Sequence, residues 1–281
     1  MSDYKFSHPK GPGQGSNIYK SSIPDIFRGK YKNPANAGNK YAKDAIEELR
    51  LKNTSLSAFI AEPIVGCGGQ VPLAHGYLNK LYPAIKEIGG LCISDEVQTG
   101  FGRTGDYFWG YQAHGVIPDM VILGKPIGNG HPIGAVICSE EIAESFEQGV
   151  EFFSSFGGNP VSCAIGLSVL EVIEEEGLQE NARQVGNYYM EQLRSLAGEF
   201  KSIGDVRGSG LFIGIDIVHP GTKKPDQKLA SYIKNELRNR NILVSTDGPD
   251  NNVIKSKPPL CFTKGNALEV VETIEVILKN K

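Results

Sequence analysis

Two residues of complementary chemistry, Asp95 and Lys125, each stand where a short apolar run stops. Leu91-Cys92-Ile93-Ser94 leads into Asp95, and Val121-Ile122-Leu123-Gly124 leads into Lys125. Short apolar runs with abrupt ends read as buried strands, and open α/β sheets collect ligands in the crevice at their strand ends. A lysine amine condenses with an aldehyde to a Schiff base, but its free pKa of about 10.4 leaves it protonated at neutral pH, so it needs an activating setting. A carboxylate suits the protonated ring nitrogen of an electron-sink cofactor such as pyridoxal phosphate (PLP). The pair alone fits equally a loop-capping aspartate and a solvated lysine.

Other stretches carry chemistry of their own. Ser154-Ser155-Phe156-Gly157-Gly158-Asn159-Pro160 supplies an N-cap, a proline suited to the first helical position and hydroxyls at a helix N-terminus, a natural anion site that puts a phosphate near Ser155. An ordinary capped helix is the alternative. Arg207, between glycine-rich neighbours, has a planar fork for a carboxylate or phosphate. The glycines at 100, 102 and 105 permit backbone approach to a ligand. Phe108 and Trp109 fit a pocket wall or core packing, and His131 fits a site lining or loop packing. Gly124-Lys125-Pro126 is not a nucleotide-phosphate loop, because the Ser or Thr after the lysine is missing and the glycine spacing is wrong.

The elements that position these groups belong to a chain of 281 residues, room for one large domain or two modest ones. A net charge of −3 gives no general attraction to nucleic acid or acidic membranes, so small molecules are the expected partners. Hydrophobic residues make up 40%, enough for a globular core, and no apolar run is long enough to span a bilayer. The five cysteines are odd in number and widely spaced, which fits a reducing, cytoplasmic setting. Histidines and cysteines show no metal-ligand spacing.

Along the chain, residues 7–16 are Gly/Pro-rich and read like an internal loop. A helix is expected over 40–51, a buried strand over 56–61 ending at Glu62-Pro63, a helix over 75–89, then the strands that end at Asp95 and near Gly124. Such alternation predicts a mainly parallel sheet with helices on both faces. The helix that begins at Pro160 runs to about Glu176, with Gly177 as its stop. Beyond it come a polar amphipathic helix over 178–200, a turn over 203–210, a strand over 211–217 and a helix over 227–239. A strand near 242–245, a short segment over 253–257, a strand end at 260–262 and a helix over 264–278 follow. Residues 1–176 thus read as one domain and 177–281 as a smaller α+β one.

Four ordered motifs resemble the class III PLP-dependent aminotransferases: Ile93-Ser94-Asp95-Glu96-Val97-Gln98-Thr99-Gly100-Phe101-Gly102-Arg103, Gly124-Lys125, Phe156-Gly157-Gly158-Asn159-Pro160 and Val206-Arg207-Gly208 before Leu211. The resemblance covers nearly the whole chain. It implies the α/β PLP-transferase fold type I, with a truncated large domain and a small C-terminal domain. It also implies that Lys125 is the Schiff-base lysine, that Asp95 pairs with the pyridinium nitrogen, that Val97 packs on the ring face and that Gln98 lies near the phenolic oxygen. Ser155 stands where the family commonly has a threonine that binds the cofactor phosphate of the neighbouring subunit, so a homodimer is implied. Arg207 matches the family arginine that holds a substrate carboxylate.

Within the family, Cys67-Gly68-Gly69-Gln70, Gly128-Asn129-Gly130-His131-Pro132, Ser245-Thr246-Asp247-Gly248-Pro249 and Lys257-Pro258-Pro259-Leu260-Cys261-Phe262 resemble the phospho-lyases of ethanolamine phosphate and phosphohydroxylysine, a branch near the alanine–glyoxylate aminotransferases. Glu62-Pro63 agrees with transaminases instead. The implied substrate is a small amine, amino acid or phosphoamine. Family members carry roughly a further domain's worth of chain ahead of this region, including a phosphate loop and a ring-stacking aromatic residue. The chain is therefore expected to be a catalytic fragment and a poor catalyst alone, or else a piece that only binds or dimerises.

Overall fold

The computed structural model describes residues 11–52 and 55–281, so residues 7–10 of the Gly/Pro-rich stretch lie outside the described residues. Helix α1 (Ala37–Lys52) buries Tyr41, Ala42 and Ala45 on one stripe. It is followed by strand β1 (Ala58–Ala61), a two-strand ribbon of β2 (Ile64–Val65) and β3 (Val71–Pro72), and helix α2 (Tyr77–Glu87). Leu78, Leu81, Tyr82 and Ile85 form the apolar stripe of α2 at i, i+3, i+4, i+7 spacing. The two stripes meet Phe59 of β1 and Cys92 of β4 (Leu91–Asp95), covering one face of the first sheet.

That sheet has the order β1-β4-β5-β6, with β5 at Met120–Leu123 and β6 at Ala135–Cys138. β1, β4 and β5 run parallel and β6 is antiparallel to β5, which gives the mainly parallel sheet expected. Asp119 sets the register: its Oδ2 accepts from the Cys92 amide at 2.7 Å, its own amide donates to the Cys92 carbonyl at 2.7 Å, and Lys86 pairs with its Oδ1 at 2.7 Å. On the other face Val121 and Leu123 pack with Phe101, Trp109 and Ile173, the last carried by α4 (Pro160–Glu175). Asn159 caps α4 by accepting from the Ser162 amide at 2.9 Å, and Pro160 opens the helix. β6 and the helix α3 (Glu140–Glu147) come from a stretch that the sequence reading leaves unassigned.

A second sheet, β7-β8-β10-β9, is wholly antiparallel. Its strands are β7 (Ile203–Ser209), β8 (Phe212–Ile217), β9 (Ser245–Asp247) and β10 (Val253–Ser256). Helices α5 (Leu178–Glu199), α6 (Gln227–Arg238) and α7 (Lys264–Lys279) cover it, and every residue of β8 is buried. Each fully buried aliphatic side chain contributes about 1.5–3 kcal/mol.

Three local expectations need correction. The stretch read as a turn over 203–210 is mostly β7, paired from Ile203↔Ile217 to Ser209↔Phe212; tertiary pairing overrides its glycine content. The strand expected near 242–245 begins later, at Ser245, and Leu243 is 83% exposed. Residues 260–262 form a turn, whose Leu260 and Phe262 carbonyls accept from Nδ2 of Asn181 at 2.6 and 3.0 Å.

Candidate active site

The parallel pairing of β4 with β5 sets Asp95 and Lys125 at the same ends of neighbouring strands. Asp95 ends β4 in register with Ile122, the Glu96 amide donates to the Ile122 carbonyl at 3.0 Å, and Lys125 follows the end of β5 by two residues. Lys125 opens a single 3₁₀ turn, Lys125–Gly128, with its own φ at +38°. A side chain in the left-handed region is held there by its surroundings at a cost of roughly 1–3 kcal/mol, and such strain collects at functional positions. Oδ1 of Asp95 accepts from the Val97 amide at 3.1 Å, which fixes the carboxylate against its own loop. A Cβ on Gly124 would stand 3.5 Å from both γ carbons of Val97, so Val97 lies beside the residue that precedes Lys125.

Lys125 lines a cavity of about 210 Å³ together with Gln98, Arg103, Asn129 and Lys257. Gln98 comes from the loop after β4, and Lys257 follows β10 of the second sheet, so the cavity is shared between the two sheets. A chain of polar contacts runs along its wall: Lys257 Nζ donates to Gln98 Oε1 at 3.2 Å, and Gln98 Nε2 donates to Glu62 Oε2 at 3.4 Å. Burial raises the Glu62 pKa, opposed by the Gly66 amide that donates to its Oε2 at 3.1 Å and assisted by the charge of Asp95. Burial, reinforced by repulsion from Arg103, Lys255 and Lys125, lowers Lys257 to about 8. Burial alone lowers Arg103 to about 10. A larger depression of about 320 Å³, between Lys224–Gln227 and Pro249–Asn251, contains none of these groups.

Arg103 also ties the site to the second sheet, since its Nη1 donates to the carbonyls of Leu211 at 3.0 Å and Pro258 at 2.7 Å. The glycine-rich loop over 99–105 is correspondingly occupied by protein. Gly105, at φ +80°, packs so closely that a Cβ there would lie 2.6 Å from Cα of Arg183, and Gln179 Nε2 donates to its carbonyl at 3.0 Å. The close approach expected for a ligand is thus made by α5. Phe101, Phe108 and Trp109 stack edge-on or tilted, with centroids 4.7–5.7 Å apart, as core. His131 Nε2 meets Ser162 Oγ at 2.8 Å and packs its loop on the start of α4.

Four expected site residues, Asp95, Val97, Ser155 and Arg207, lie outside the cavity lining, Asp95 and Val97 on the strand end and loop beside it. Ser155 is exposed on the segment before α4. Arg207, on β7, shares Nη1 between Asp205 at 3.0 Å and Asp216 at 2.9 Å and donates through Nε to the Gly69 carbonyl at 2.9 Å. Its charge is already met within its own sheet.

The sequence reading missed Glu96, Glu62, Arg103 and Lys257. Glu96 is buried and accepts from Ser94 Oγ at 3.1 Å, Thr99 Oγ1 at 2.6 Å, and the Gly110 and Tyr111 amides at 2.8 Å each. Its signal is an acidic residue directly after a buried strand and beside Asp95, where desolvation demands donors.

The Aminotransferase class-III family model matches residues 10–278. The chain belongs to this family. It is 45% identical over 280 residues, 96% of the chain, to a *Drosophila melanogaster* protein named alanine--glyoxylate aminotransferase 2-like, of which it covers 56%. It is 40% identical over 295 residues to the *Caenorhabditis elegans* ethanolamine-phosphate phospho-lyase homolog 1, covering 99% of the chain and 63% of that protein. Among solved structures, it matches an *Arthrobacter* phospholyase in complex with phosphoethanolamine with a TM-score of 0.89 and 38% identity, over 95% of this chain and 64% of that one. A PLP-bound amine transaminase from an uncultivated *Pseudomonas* species matches with a TM-score of 0.89 and 31% identity, over 97% and 64%. The fold is that of PLP fold type I enzymes, and the chain spans less than two thirds of the length of these relatives.

Proposed function

We propose that this chain is the lysine-bearing part of a PLP-dependent enzyme that acts on a small amine or amino acid, as a transaminase or as an amine-phosphate phospho-lyase. The carrying observation is that Asp95 and Lys125 end neighbouring parallel strands, with Lys125 on the wall of a cavity. The donor set fits the ring end of the cofactor: an amine for its aldehyde, a carboxylate for its ring nitrogen, an amide for its hydroxyl and an aliphatic side chain for its face. When bound, the cofactor supplies an electron sink next to the substrate's amine-bearing carbon. Asp95 would hold the ring-nitrogen proton, Val97 would support the ring, and Gln98 would orient the hydroxyl flank. Lys125 Nζ would take the proton from the substrate's amine-bearing carbon, the step that both reactions share; a transaminase then delivers a proton elsewhere, whereas a phospho-lyase loses phosphate from the neighbouring carbon.

The hydroxyl of Ser155 stands outside the cavity, which supports its reading as a ligand to the cofactor phosphate of a second copy in a homodimer. A role for Arg207 in holding a substrate carboxylate requires that it leave Asp205 and Asp216. None of the five cysteines is in a disulfide, which supports a reducing setting such as the cytoplasm. Among the described residues no helix is long and apolar enough to cross a membrane.

A second reading, a catalytically incomplete piece that binds or dimerises, is favoured by exposed apolar side chains on β6, where Val136 is 56% and Ile137 51% exposed, and on the segment before α4, where Phe153 is 82% and Phe156 84% exposed. One experiment separates the two. The purified chain is incubated with PLP, reduced with borohydride and digested; cofactor mass on the Lys125 peptide supports the first reading, and its absence at saturating PLP overturns it for this chain.

A further inference from the structure

The cavity beside Lys125 is lined by cations whose charge the protein does not answer. Lys255, two residues before Lys257, is neutralised by Asp247 at 2.7 Å. Lys257 has a different environment: its polar contact is the neutral Oε1 of Gln98, and its Nζ lies 5.4 Å from the centroid of the Phe212 ring. Arg103 is answered by two neutral carbonyls through Nη1, and among the described residues no carboxylate is within ion-pair distance of Arg103, Lys125 or Lys257. Glu62 is the nearest acid in the polar chain, and the Gln98 amide separates it from Lys257. Half-buried cations whose partners are all neutral keep an uncompensated charge, which is the arrangement of an anion site awaiting its ligand.

We propose that Lys257 and Arg103 form a subsite for the phosphate group of an amine substrate. A guanidinium edge and an ammonium converging on one cavity offer several charged donors to one tetrahedral dianion, the geometry in which phosphate outcompetes neutral groups. The shared chemistry is a phosphate monoester, which both the substrate and the cofactor could bring. The choice of substrate rests on the PLP reading above. On that reading, a ring with its nitrogen at Asp95 and its aldehyde at Lys125 would carry its hydroxyl and its phosphate on opposite flanks. Gln98 marks the hydroxyl flank, and Lys257 is bonded to Gln98. The subsite therefore lies on the side away from the cofactor phosphate.

The test measures binding by calorimetry, with the wild type, Lys257→Met and Lys257→Arg all loaded with PLP. Phosphoethanolamine is expected to bind Lys257→Met roughly ten- to a hundred-fold more weakly, the loss of a charge-assisted contact. Ethanolamine affinity stays the same, and Lys257→Arg recovers most of the phosphoethanolamine affinity. Equal losses for both amines, or no loss for either, overturn the proposal. Weaker PLP binding by Lys257→Met, with the preference for phosphoethanolamine intact, assigns the anion to the cofactor and also overturns it. Inorganic phosphate titrated into the PLP-free protein reads the subsite without the PLP reading: Lys257-dependent binding supports it even if no cofactor bonds to Lys125. A matching thermal midpoint for the variants shows that the fold is kept.

Discussion

Nη1 of Arg207 lies 2.9 Å from Oδ2 of Asp216, a carboxylate on β8 that is buried from solvent. Oδ1 of the same aspartate accepts from Asn252 Nδ2 at 2.7 Å and pairs with Arg28 of the segment before α1. One buried acid thus joins three stretches of chain. Asp216→Ala leaves two cations and an amide without their shared partner and is expected to lower stability by about 3–5 kcal/mol in urea unfolding. If Arg207 holds substrate carboxylate instead, Asp205→Ala will tighten alanine binding; no change will leave it a structural link.

Lys125→Ala removes an exposed side chain, so its stability is expected to stay within about 0.5 kcal/mol of wild type while the cofactor mass on that peptide disappears. Lys125→Gly relieves the positive φ of this position and should be more stable than Lys125→Ala by up to about 1 kcal/mol. Thermal midpoints of the two variants check the sign.

Glu96→Ala strands two hydroxyls and two backbone amides in a buried loop and is expected to cost at least about 3 kcal/mol. Because that loop carries Gln98 and Arg103, hydrogen exchange over 97–111 should accelerate with it.

Lys257 sets a pH dependence. Burial first, and then the charges of Arg103, Lys255 and Lys125, with Glu62 opposing them, lower it to about 8, so it is cationic below that pH. Phosphoethanolamine affinity should fall as pH rises through about 8 in the wild type and far less in Lys257→Arg, whose guanidinium stays charged. Between about 8 and the ordinary 10.5 the unfolded chain binds more protons at this residue, so stability rises with pH there. At neutral pH Lys257→Met should therefore be at least as stable as the wild type, a substitution that improves folding while it weakens binding.

Local signals told much of this in advance. The apolar runs before Asp95 and Lys125 are strands, the Asn159–Pro160 cap starts α4 where expected, and the parallel core follows from their alternation. β7 was illegible because Gly204, Asp205 and Gly208 speak for a turn and only pairing with the buried β8 makes it a strand. The cavity's second wall was illegible for a similar reason. Arg103 finds its acceptors 108 and 155 residues away, and nothing near it in the sequence announces Leu211 or Pro258. A cation with no acid beside it in three dimensions looks, in one dimension, like any surface charge.

The tie from Arg103 to Leu211 and Pro258 has a practical outcome for anyone dividing this molecule. Severing the polypeptide between its two sheets would keep Asp95 and Lys125 on one product and send Lys257 and both carbonyls to the other. Neither product would inherit a finished chamber, and mixing them would rebuild it only where the β7–β8 turn could reseat against the 99–105 loop.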